Sequence, residues 1–379
     1  MKVKILLLVA LSLFLAGRSA ASYAAPIETS APQAILLDTN TGTVLLDKNA
    51  AGRMPTSSMS KAMTLYVVFE ALKHGQLKMD DELPVSEKAW RMQGSRMFIK
   101  VGSKVKAEDL IRGVAIQSGN DATVALAEGL AGTEEVFVER MNIRAKELGM
   151  TGSHFMNASG WPVAEHYSTP RDLALLARRL IADFPEYYHY FGEKEFTYNK
   201  IRQPNRDPLL GKVAGADGIK TGHTEAAGYG LIGTAARNGR RLVLVINGLP
   251  DEKARAAEGV KLLEWGFRNF ESKEIFKAGD RVDTAKVWMG REDEVPLVAA
   301  KDLTVILPVA RRADMKMTVI YQGPLAAPVR KAASVAKLHI EIPDQLPVEA
   351  NLLAGNDVER KGLFGRVAAR FNYLLNGTY

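Results

Sequence analysis

Two pairs of short apolar runs, each pair separated by a polar turn, stand near the two ends of the first 270 residues. Residues 34–38 and 44–47 flank a turn of threonine, asparagine and glycine, which predicts a strand–turn–strand hairpin. Residues 228–236 and 240–246 flank Asn238-Gly239, a dipeptide typical of a tight hairpin turn. Both ends of this region are therefore expected to contribute strands to a sheet.

Between and after these hairpins, apolar side chains recur at helical spacing. Helices are predicted from Ser58 to Gly75, over residues 107–128 with a break at 117–121, and over residues 134–148, 171–183 and 254–267. Strands that enclose a helical middle predict an α+β domain, an antiparallel sheet with a helical subdomain, ending near Phe270.

The pattern changes beyond residue 270. Short alternating runs at residues 281–289, 303–307, 315–321, 335–342 and 348–353 predict the strands of a small all-β domain. The last segment, residues 358–375, predicts a helix with Leu363, Phe364, Val367, Phe371, Leu374 and Leu375 on one face and Arg360, Lys361, Arg366 and Arg370 mostly elsewhere. A basic amphipathic helix is typical of binding at a membrane surface, and packing against its own domain is the alternative.

The first 24 residues predict a secretory signal. Lys2 and Lys4 precede an apolar run over residues 5–16, and Ser22-Tyr-Ala24 offers the small residues of a cleavage site. No later run approaches the ~18 apolar residues that a membrane span needs, so no internal transmembrane helix is expected.

Composition narrows the classes of function. The chain has no cysteine, which excludes disulfides and thiolate zinc sites, and its six histidines lack metal-ligand spacing, so we expect neither a metal nor another cofactor. The formal charge of +7 falls to +4 when Lys2, Lys4 and Arg18 are removed with the signal. This excess is mild, and no basic stripe is interleaved with aromatic residues, so we expect no binding of nucleic acid.

One stretch, residues 54–64, carries candidate chemistry. Ser58 lies three residues before Lys61 at the predicted start of a helix, for which Thr56 or Ser57 is the expected cap. Residues at this spacing share a helix face, so the hydroxyl and the amine are expected within hydrogen-bond reach. The unpaired N–H groups of the helix start, including that of Ser58, can stabilise an oxyanion. The same spacing at Ser103/Lys106 and Ser334/Lys337 does not open an amphipathic helix.

Two further motifs follow in order. Ser118-Gly-Asn120 falls at the break in the second predicted helix, and Lys220-Thr-Gly222 precedes the strand at residue 228. These three motifs in this order resemble the catalytic set of the low-molecular-mass penicillin-binding proteins, the serine-type D-alanyl-D-alanine carboxypeptidases. The resemblance covers nearly all of the mature chain. It implies a β-lactamase/transpeptidase-like domain at residues 25–272, a small all-β domain at 273–357 and an amphipathic membrane-anchor helix at 358–379, after a signal peptide at 1–24.

The residue types define the chemistry. Ser58 is a nucleophile only if a base removes its proton, and a buried Lys61 near a second cation would have a lowered pKa and act as that base. Lys220 is the natural second cation. We expect Ser118 to bridge the two amines and pass a proton to the leaving amine, and Asn120 to orient Lys61 and hold the substrate amide.

The remaining site residues concern the substrate. The resemblance implies that the backbone N–H groups of Ser58 and His223 form the oxyanion hole and that Arg255 binds the free carboxylate. Thr221, with Gly222 beside it, and Lys220 are further donors for that end of the substrate. Arg206 is a weaker candidate, for which a plain surface loop is the alternative.

We therefore expect an exported D,D-carboxypeptidase on the outer face of the inner membrane, in the periplasm. Its partners would be the peptidoglycan stem pentapeptide, β-lactam antibiotics and, through the C-terminal helix, the membrane surface. Three alternatives stay open: a D,D-endopeptidase, a silent wall-binding protein and a β-lactamase. A class A β-lactamase needs a glutamate for deacylation, and neither Glu165 nor Glu195 has the expected context.

Overall fold

The computed structural model describes residues 27–376, so the predicted signal segment at residues 1–24 lies outside the described part of the chain. Up to residue 269, the α-helices and strands are β1 Gln33–Asp38, β2 Val44–Lys48, α1 Lys61–Lys73, β3 Glu82–Pro84, α2 Glu87–Arg91, β4 Lys104–Lys106, α3 Ala107–Ala115, α4 Asn120–Ala131, α5 Glu134–Leu148, α6 Pro170–Asp183, α7 Pro185–Tyr188, β5 Glu195–Tyr198, β6 Ile201–Pro204, β7 Ala216–Thr224, β8 Gly228–Arg237, β9 Arg240–Leu249 and α8 Glu252–Asn269.

A five-stranded antiparallel sheet in the order β2-β1-β9-β8-β7 joins the two predicted hairpins. Alternate side chains of β9 point to opposite faces, as the two-residue period of a strand requires. Leu242, Leu244 and Ile246 pack with the apolar face of α8, whereas Val243 and Val245 belong to the core shared with the helical layer. The predicted α+β architecture is confirmed, and β7 forms one edge of its sheet.

Helix starts follow local capping chemistry. The hydroxyls of Thr133 and Thr169 accept from the backbone N–H groups at the starts of α5 and α6, and the Asp251 carboxylate does the same for α8. These caps explain why the predicted and observed limits of α5 agree, while α8 begins earlier than predicted, at Glu252.

Helix α1 differs from its prediction in two ways. The segment Ser57–Ser60 is a single 3-10 turn, so Ser58 precedes the α-helix, and neither Thr56 nor Ser57 provides a side-chain cap. The helix is also not amphipathic, because almost all of its side chains are buried, including Lys61. Apolar spacing predicts one buried face, whereas α1 contacts α3, α4, α5 and α6 and is enclosed by them.

The remainder of the described chain is mostly β-structure. Its elements are β10 Phe270–Phe276, β11 Arg281–Trp288, β12 Glu294–Ala299, β13 Leu303–Pro308, β14 Lys316–Ile320, β15 Leu325–Ala326, β16 Ser334–Glu341, β17 Val348–Ala354 and the helix α9 Leu363–Asn376. Six strands form a sheet in the order β14-β16-β17-β12-β11-β15, and β10 pairs with β13. The small all-β domain is confirmed with its own apolar core. The expected boundary at residues 272 and 273 falls inside β10.

The terminal helix begins at Leu363, not at Val358 as predicted. Val358 is buried and pairs with Val329, and the guanidinium of Arg360 donates to the carbonyl of Ala327, so both residues belong to the β-domain. Among the described residues, none of the helices combines the length and the apolarity that crossing a membrane requires.

Candidate active site

Ser58 and Lys61 meet at the junction of the 3-10 turn and α1. The Nζ of Lys61 lies 2.8 Å from the Oγ of Ser58, as the three-residue spacing predicts. Ser58 is half-buried and lines the main cleft, whereas the Lys61 side chain is fully enclosed. The hydroxyl therefore faces the solvent side and the amine lies behind it.

Two carbonyl oxygens complete the surroundings of the Lys61 amine. Nζ donates to Oδ1 of Asn120 at 2.7 Å and to the backbone carbonyl of Ser159 at 2.6 Å. A neutral amine has two hydrogens and one lone pair. If the two carbonyls take both hydrogens, the lone pair is left for the hydroxyl proton of Ser58.

The electrostatics favour that neutral form. Burial, followed by the positive charge of Arg206, lowers the pKa of Lys61 to about 7, and the carboxylate of Asp121 opposes the shift. A base with a pKa near the working pH is partly neutral and still basic enough to take a proton.

The second motif lies in the link between α3 and α4. Asn120 is the first residue of α4, and its Nδ2 donates to the carbonyl of Gln93, which fixes the amide while Oδ1 holds Lys61. Ser118 has a φ of 65°, in the left-handed region, and its buried Oγ has no hydrogen-bond partner within the described residues. The expected bridge from Ser118 to the two amines is therefore not formed in this structure.

The third motif lies on β7. Lys220 is buried, and its Nζ donates to the carbonyl of Thr221 at 3.1 Å. Burial, then the charges of Lys61, Arg206 and Arg255, holds the pKa of Lys220 well below its usual range. Gly222 lies against the nucleophile's turn: a Cβ there would come within 2.8 Å of the Thr56 carbonyl, so glycine permits the edge strand to approach.

These elements enclose a cleft of about 510 Å³. Eight of the ten residues predicted for the site line it, namely Ser58, Ser118, Asn120, Arg206, Thr221, Gly222, His223 and Arg255, and Lys61 and Lys220 lie in its wall. The structure thus brings all ten together, although 197 positions separate Ser58 from Arg255 along the chain.

The substrate-binding candidates differ in their surroundings. The exposed ring of His223 stacks on Tyr229, with 3.9 Å between ring centroids, so it has no role as a buried base. Arg255 is buried, its guanidinium lies 5.5 Å from the centre of the Tyr229 ring, and its Nε has no partner among the described residues. Arg206 is exposed at the cleft and donates to the hydroxyl of Ser95 at 2.6 Å.

One part of the site is not marked by any motif in the sequence. Ser159, Gly160 and Trp161 lie in the 154–168 loop (residues 154–168, before α6) and line the cleft. Gly160 has a φ of 78°, and a Cβ there would lie 1.8 Å from the Ser57 carbonyl. The abundance of glycine, serine and asparagine marked the segment only as a loop, since its contacts arise in the folded chain.

The two glutamates that a β-lactamase would need are elsewhere. Glu165 is exposed and does not line the main cleft, and Glu195 lies on β5, paired with Arg202. Neither carboxylate is placed to activate a water molecule beside Ser58.

The sheet with its helical layer, together with a serine hydroxyl beside a buried lysine amine of lowered pKa, is typical of a serine hydrolase. Residues 19–250 match the family model D-alanyl-D-alanine carboxypeptidase, and residues 270–360 match the model Penicillin-binding protein 5, C-terminal domain. The chain belongs to the D-alanyl-D-alanine carboxypeptidase family and is a serine-type enzyme of that activity. The family, fold class and activity expected from the sequence are confirmed.

Individual relatives agree with this result. The D-alanyl-D-alanine carboxypeptidase DacC of Escherichia coli is 40% identical over 341 residues, which cover 88% of this chain and 85% of the relative. The crystal structure of the carboxypeptidase DacD from Francisella tularensis has a TM-score of 0.81 at 30% identity and covers 92% of this chain and 98% of that one. Penicillin-binding protein D2 of Listeria monocytogenes in its ampicillin-bound form has a TM-score of 0.59 at 33% identity and covers 64% of this chain and 99% of that one.

Proposed function

We propose that Ser58 removes the terminal D-alanine of peptidoglycan stem pentapeptides through an acyl-enzyme. The observation that carries this proposal is the buried Lys61 amine, 2.8 Å from the Ser58 hydroxyl and with a pKa lowered to about 7. As Ser58 Oγ attacks the penultimate carbonyl, its proton passes to Lys61. The peptide C–N bond then breaks, and the amine of D-alanine leaves with a proton. Water hydrolyses the ester and restores the hydroxyl.

Ser118 is proposed to carry the proton to the leaving amine. Its Oγ is buried at the cleft and has no partner among the described residues, so it can accept from one amine and donate to the departing nitrogen. Lys220 is proposed as the second amine that Ser118 bridges, and burial, followed by the charge of Lys61, lowers its pKa. Asn120 Nδ2 uses one hydrogen on Gln93 and has a second for the substrate amide.

β7 is proposed to hold the substrate backbone. Because β7 is an edge of the sheet, an extended peptide can add to it as a further strand. The N–H groups of Ser58 and His223 would then bind the developing oxyanion, as in the family. Thr221 offers a hydroxyl at the same edge.

Arg255 is proposed to bind the substrate's free carboxylate. A buried guanidinium is costly to desolvate unless an anion accompanies it, and the nearest carboxylate oxygen, on Glu252, is 3.7 Å from Nη2. Its Nε has no hydrogen-bond partner in residues 27–376, which supports a substrate carboxylate as the missing acceptor. Arg206, which lines the same part of the surface as Arg255 and Glu252, is the second candidate.

The test of the central proposal is mass spectrometry after brief exposure to penicillin. The expected adduct maps to the peptide that contains Ser58, and D-alanine release from a pentapeptide falls on the order of 10⁴-fold or more in Ser58→Ala. Ser103→Ala is the matched control, since Ser103 has the same spacing to a lysine but donates to the carbonyl of Lys100 at an exposed turn. An adduct on any other residue contradicts the proposal.

β-Lactams are proposed as covalent inhibitors that are released slowly. The ampicillin-bound relative supports this, and so does the position of Glu165 and Glu195 away from the cleft. The expected adduct persists for minutes or longer. Rapid turnover of penicillin without a burst would instead favour the β-lactamase alternative.

We also propose export to the periplasm, after cleavage of residues 1–24, and attachment to the outer face of the inner membrane through α9. Phe364 and Leu374 of this helix are 89% and 75% exposed. Tyr373 makes a ring contact with Trp288 of the β-domain, so the helix is joined to that domain while its other apolar residues face outward.

A further inference from the structure

A buried chain of three side chains runs beside the nucleophile's turn. The Oγ1 of Thr56 lies 2.5 Å from the Oγ of Ser60, and that oxygen lies 2.7 Å from Nε2 of His166. All three side chains are buried. Thr56 and Ser60 bracket the turn that carries Ser58, whereas His166 comes from the 154–168 loop. These hydrogen bonds therefore connect the turn that carries Ser58 to the 154–168 loop.

The direction of these bonds follows from the other ring nitrogen. The backbone N–H of Met156 donates to Nδ1 of His166 at 3.2 Å, so Nδ1 is the acceptor and the ring hydrogen is on Nε2. Burial lowers the pKa of His166 to about 4, which leaves the ring neutral near pH 7. Nε2–H then donates to Ser60, and the Ser60 hydroxyl donates to Thr56.

The turn requires such support. Ser57 has a φ of 48°, a left-handed conformation that costs on the order of 1 kcal/mol or more for a residue with a Cβ. A strained residue keeps its conformation only when surrounding contacts fix it. The 154–168 loop supplies contacts on two sides, since it packs Gly160 against the Ser57 carbonyl and places the Ser159 carbonyl on Lys61.

We propose that His166 is a positioning residue for the carboxypeptidase reaction, which fastens the Ser58 turn to the 154–168 loop through its hydrogen bond to Ser60. It touches neither the substrate nor Ser58. Its role is to keep Ser58 Oγ on the Lys61 amine while the same loop holds that amine from the other side. The inference rests on the proposed role of Ser58 as the nucleophile.

A matched pair of substitutions separates this role from plain stability. In His166→Gln the amide nitrogen falls near the position of Nε2 and still donates to Ser60, but nothing accepts from Met156. In His166→Asn the amide oxygen still accepts from Met156, but the side chain is too short to reach Ser60. We expect acylation by penicillin to stay within about threefold in the Gln variant and to fall about tenfold or more in the Asn variant.

The unfolding midpoint is measured on the same samples. If His166 only stabilised the fold, the variant with the lower unfolding midpoint would also have the slower acylation. Our proposal instead predicts fast acylation in the Gln variant even if its unfolding midpoint is the lower of the two. Equal slowing in both variants, or wild-type acylation in the Asn variant, overturns the proposal. His154→Asn is the control, because His154 lies on the same loop but its ring bonds to the carbonyl of Glu165 and not to the Ser58 turn.

Ser60→Ala provides a second, independent variant. It removes the other end of the same bond and is expected to slow acylation about tenfold, and adding His166→Asn should change the rate less than about twofold further. Effects that multiply instead would show that the two residues act separately. Mapping of the adduct to Ser58 in each variant distinguishes failure of this proposal from failure of the nucleophile assignment.

Discussion

Lys61 combines complete burial with three polar contacts, and we expect this combination to set the pH range in which the enzyme works. Its pKa is lowered to about 7, and in the proposed mechanism only the neutral amine can accept the proton of Ser58. The rate of acylation at low penicillin concentration is therefore expected to rise about tenfold per pH unit below pH 7 and to level off above it. A pH profile of adduct formation measures this. A flat profile between pH 5 and 8 would exclude Lys61 as the base.

The charge of Arg206 contributes to that lowered pKa. Replacing it in Arg206→Gln removes a positive charge near the amine, so the pKa of Lys61 rises and the midpoint of the acylation profile moves to higher pH. The shift of the midpoint is the readout, since a change in substrate binding alters the height of the profile more than its position. Arg202→Gln is the control, because Arg202 pairs with Glu195 at the surface. An unmoved midpoint in Arg206→Gln contradicts the assigned cause.

At the scale of elements, the site depends on how closely the 154–168 loop approaches the 3-10 turn. A methyl group in Gly160→Ala would lie 1.8 Å from the Ser57 carbonyl, and φ at this position is 78°. We expect a loss of about 2 kcal/mol or more in the free energy of unfolding. Acylation should also fall by at least about tenfold, because Ser58 and the Ser159 carbonyl move apart.

Gly102→Ala is the matched control for this change. Gly102 has a φ of 72°, close to that of Gly160, but apart from its two chain neighbours no described residue has an atom within 4 Å of the position of its Cβ. It should lose about 1 kcal/mol from the left-handed conformation alone and keep its acylation rate. Chemical denaturation and penicillin binding on both variants test the pair. Similar losses of activity in the two would show that the close approach is unimportant.

These elements also show what the sequence reveals and what it does not. The pairing of Ser58 with Lys61 depends on local helical spacing, and the remaining motifs were found through their order along the chain. Ser159 and Gly160 act through contacts that exist only after folding, so no local pattern marks them. The same holds for the left-handed Ser57, where a cap was predicted and a strained turn is found.

For the whole molecule, the pattern of apolar residues located nine of the seventeen described strands but not the limits of the domains. Strand β12 has Pro296 in its middle, and β10 has three exposed charged or polar residues in a row, so neither has a clear strand pattern. The sequence places Val358 in the predicted terminal helix, because this residue is apolar and directly precedes the basic amphipathic segment. Its pairing with Val329 instead completes the β-domain, and only a long-range contact reveals this.

The exposed apolar face of α9 gives the last prediction. Phe364 and Phe371 are 89% and 64% exposed, on a helix that also carries the exposed Arg370. Insertion of such residues into the lipid interface, with Arg370 near anionic head groups, should hold the protein on vesicles that contain phosphatidylglycerol. Co-sedimentation should fall at least about tenfold when both are changed to serine, because each change removes an aromatic ring that would otherwise insert into the lipid.

The control removes two exposed apolar side chains elsewhere, in Ile143→Ser with Met317→Ser, whose residues are 59% and 48% exposed. This variant should bind vesicles as the unchanged protein does, and both variants should form the penicillin adduct at the normal rate, since Phe364 and Phe371 do not line the cleft. Equal loss of sedimentation in the two variants would mean that general surface hydrophobicity, not α9, holds the protein on lipid. Retention by the phenylalanine variant would show that α9 is not the membrane contact.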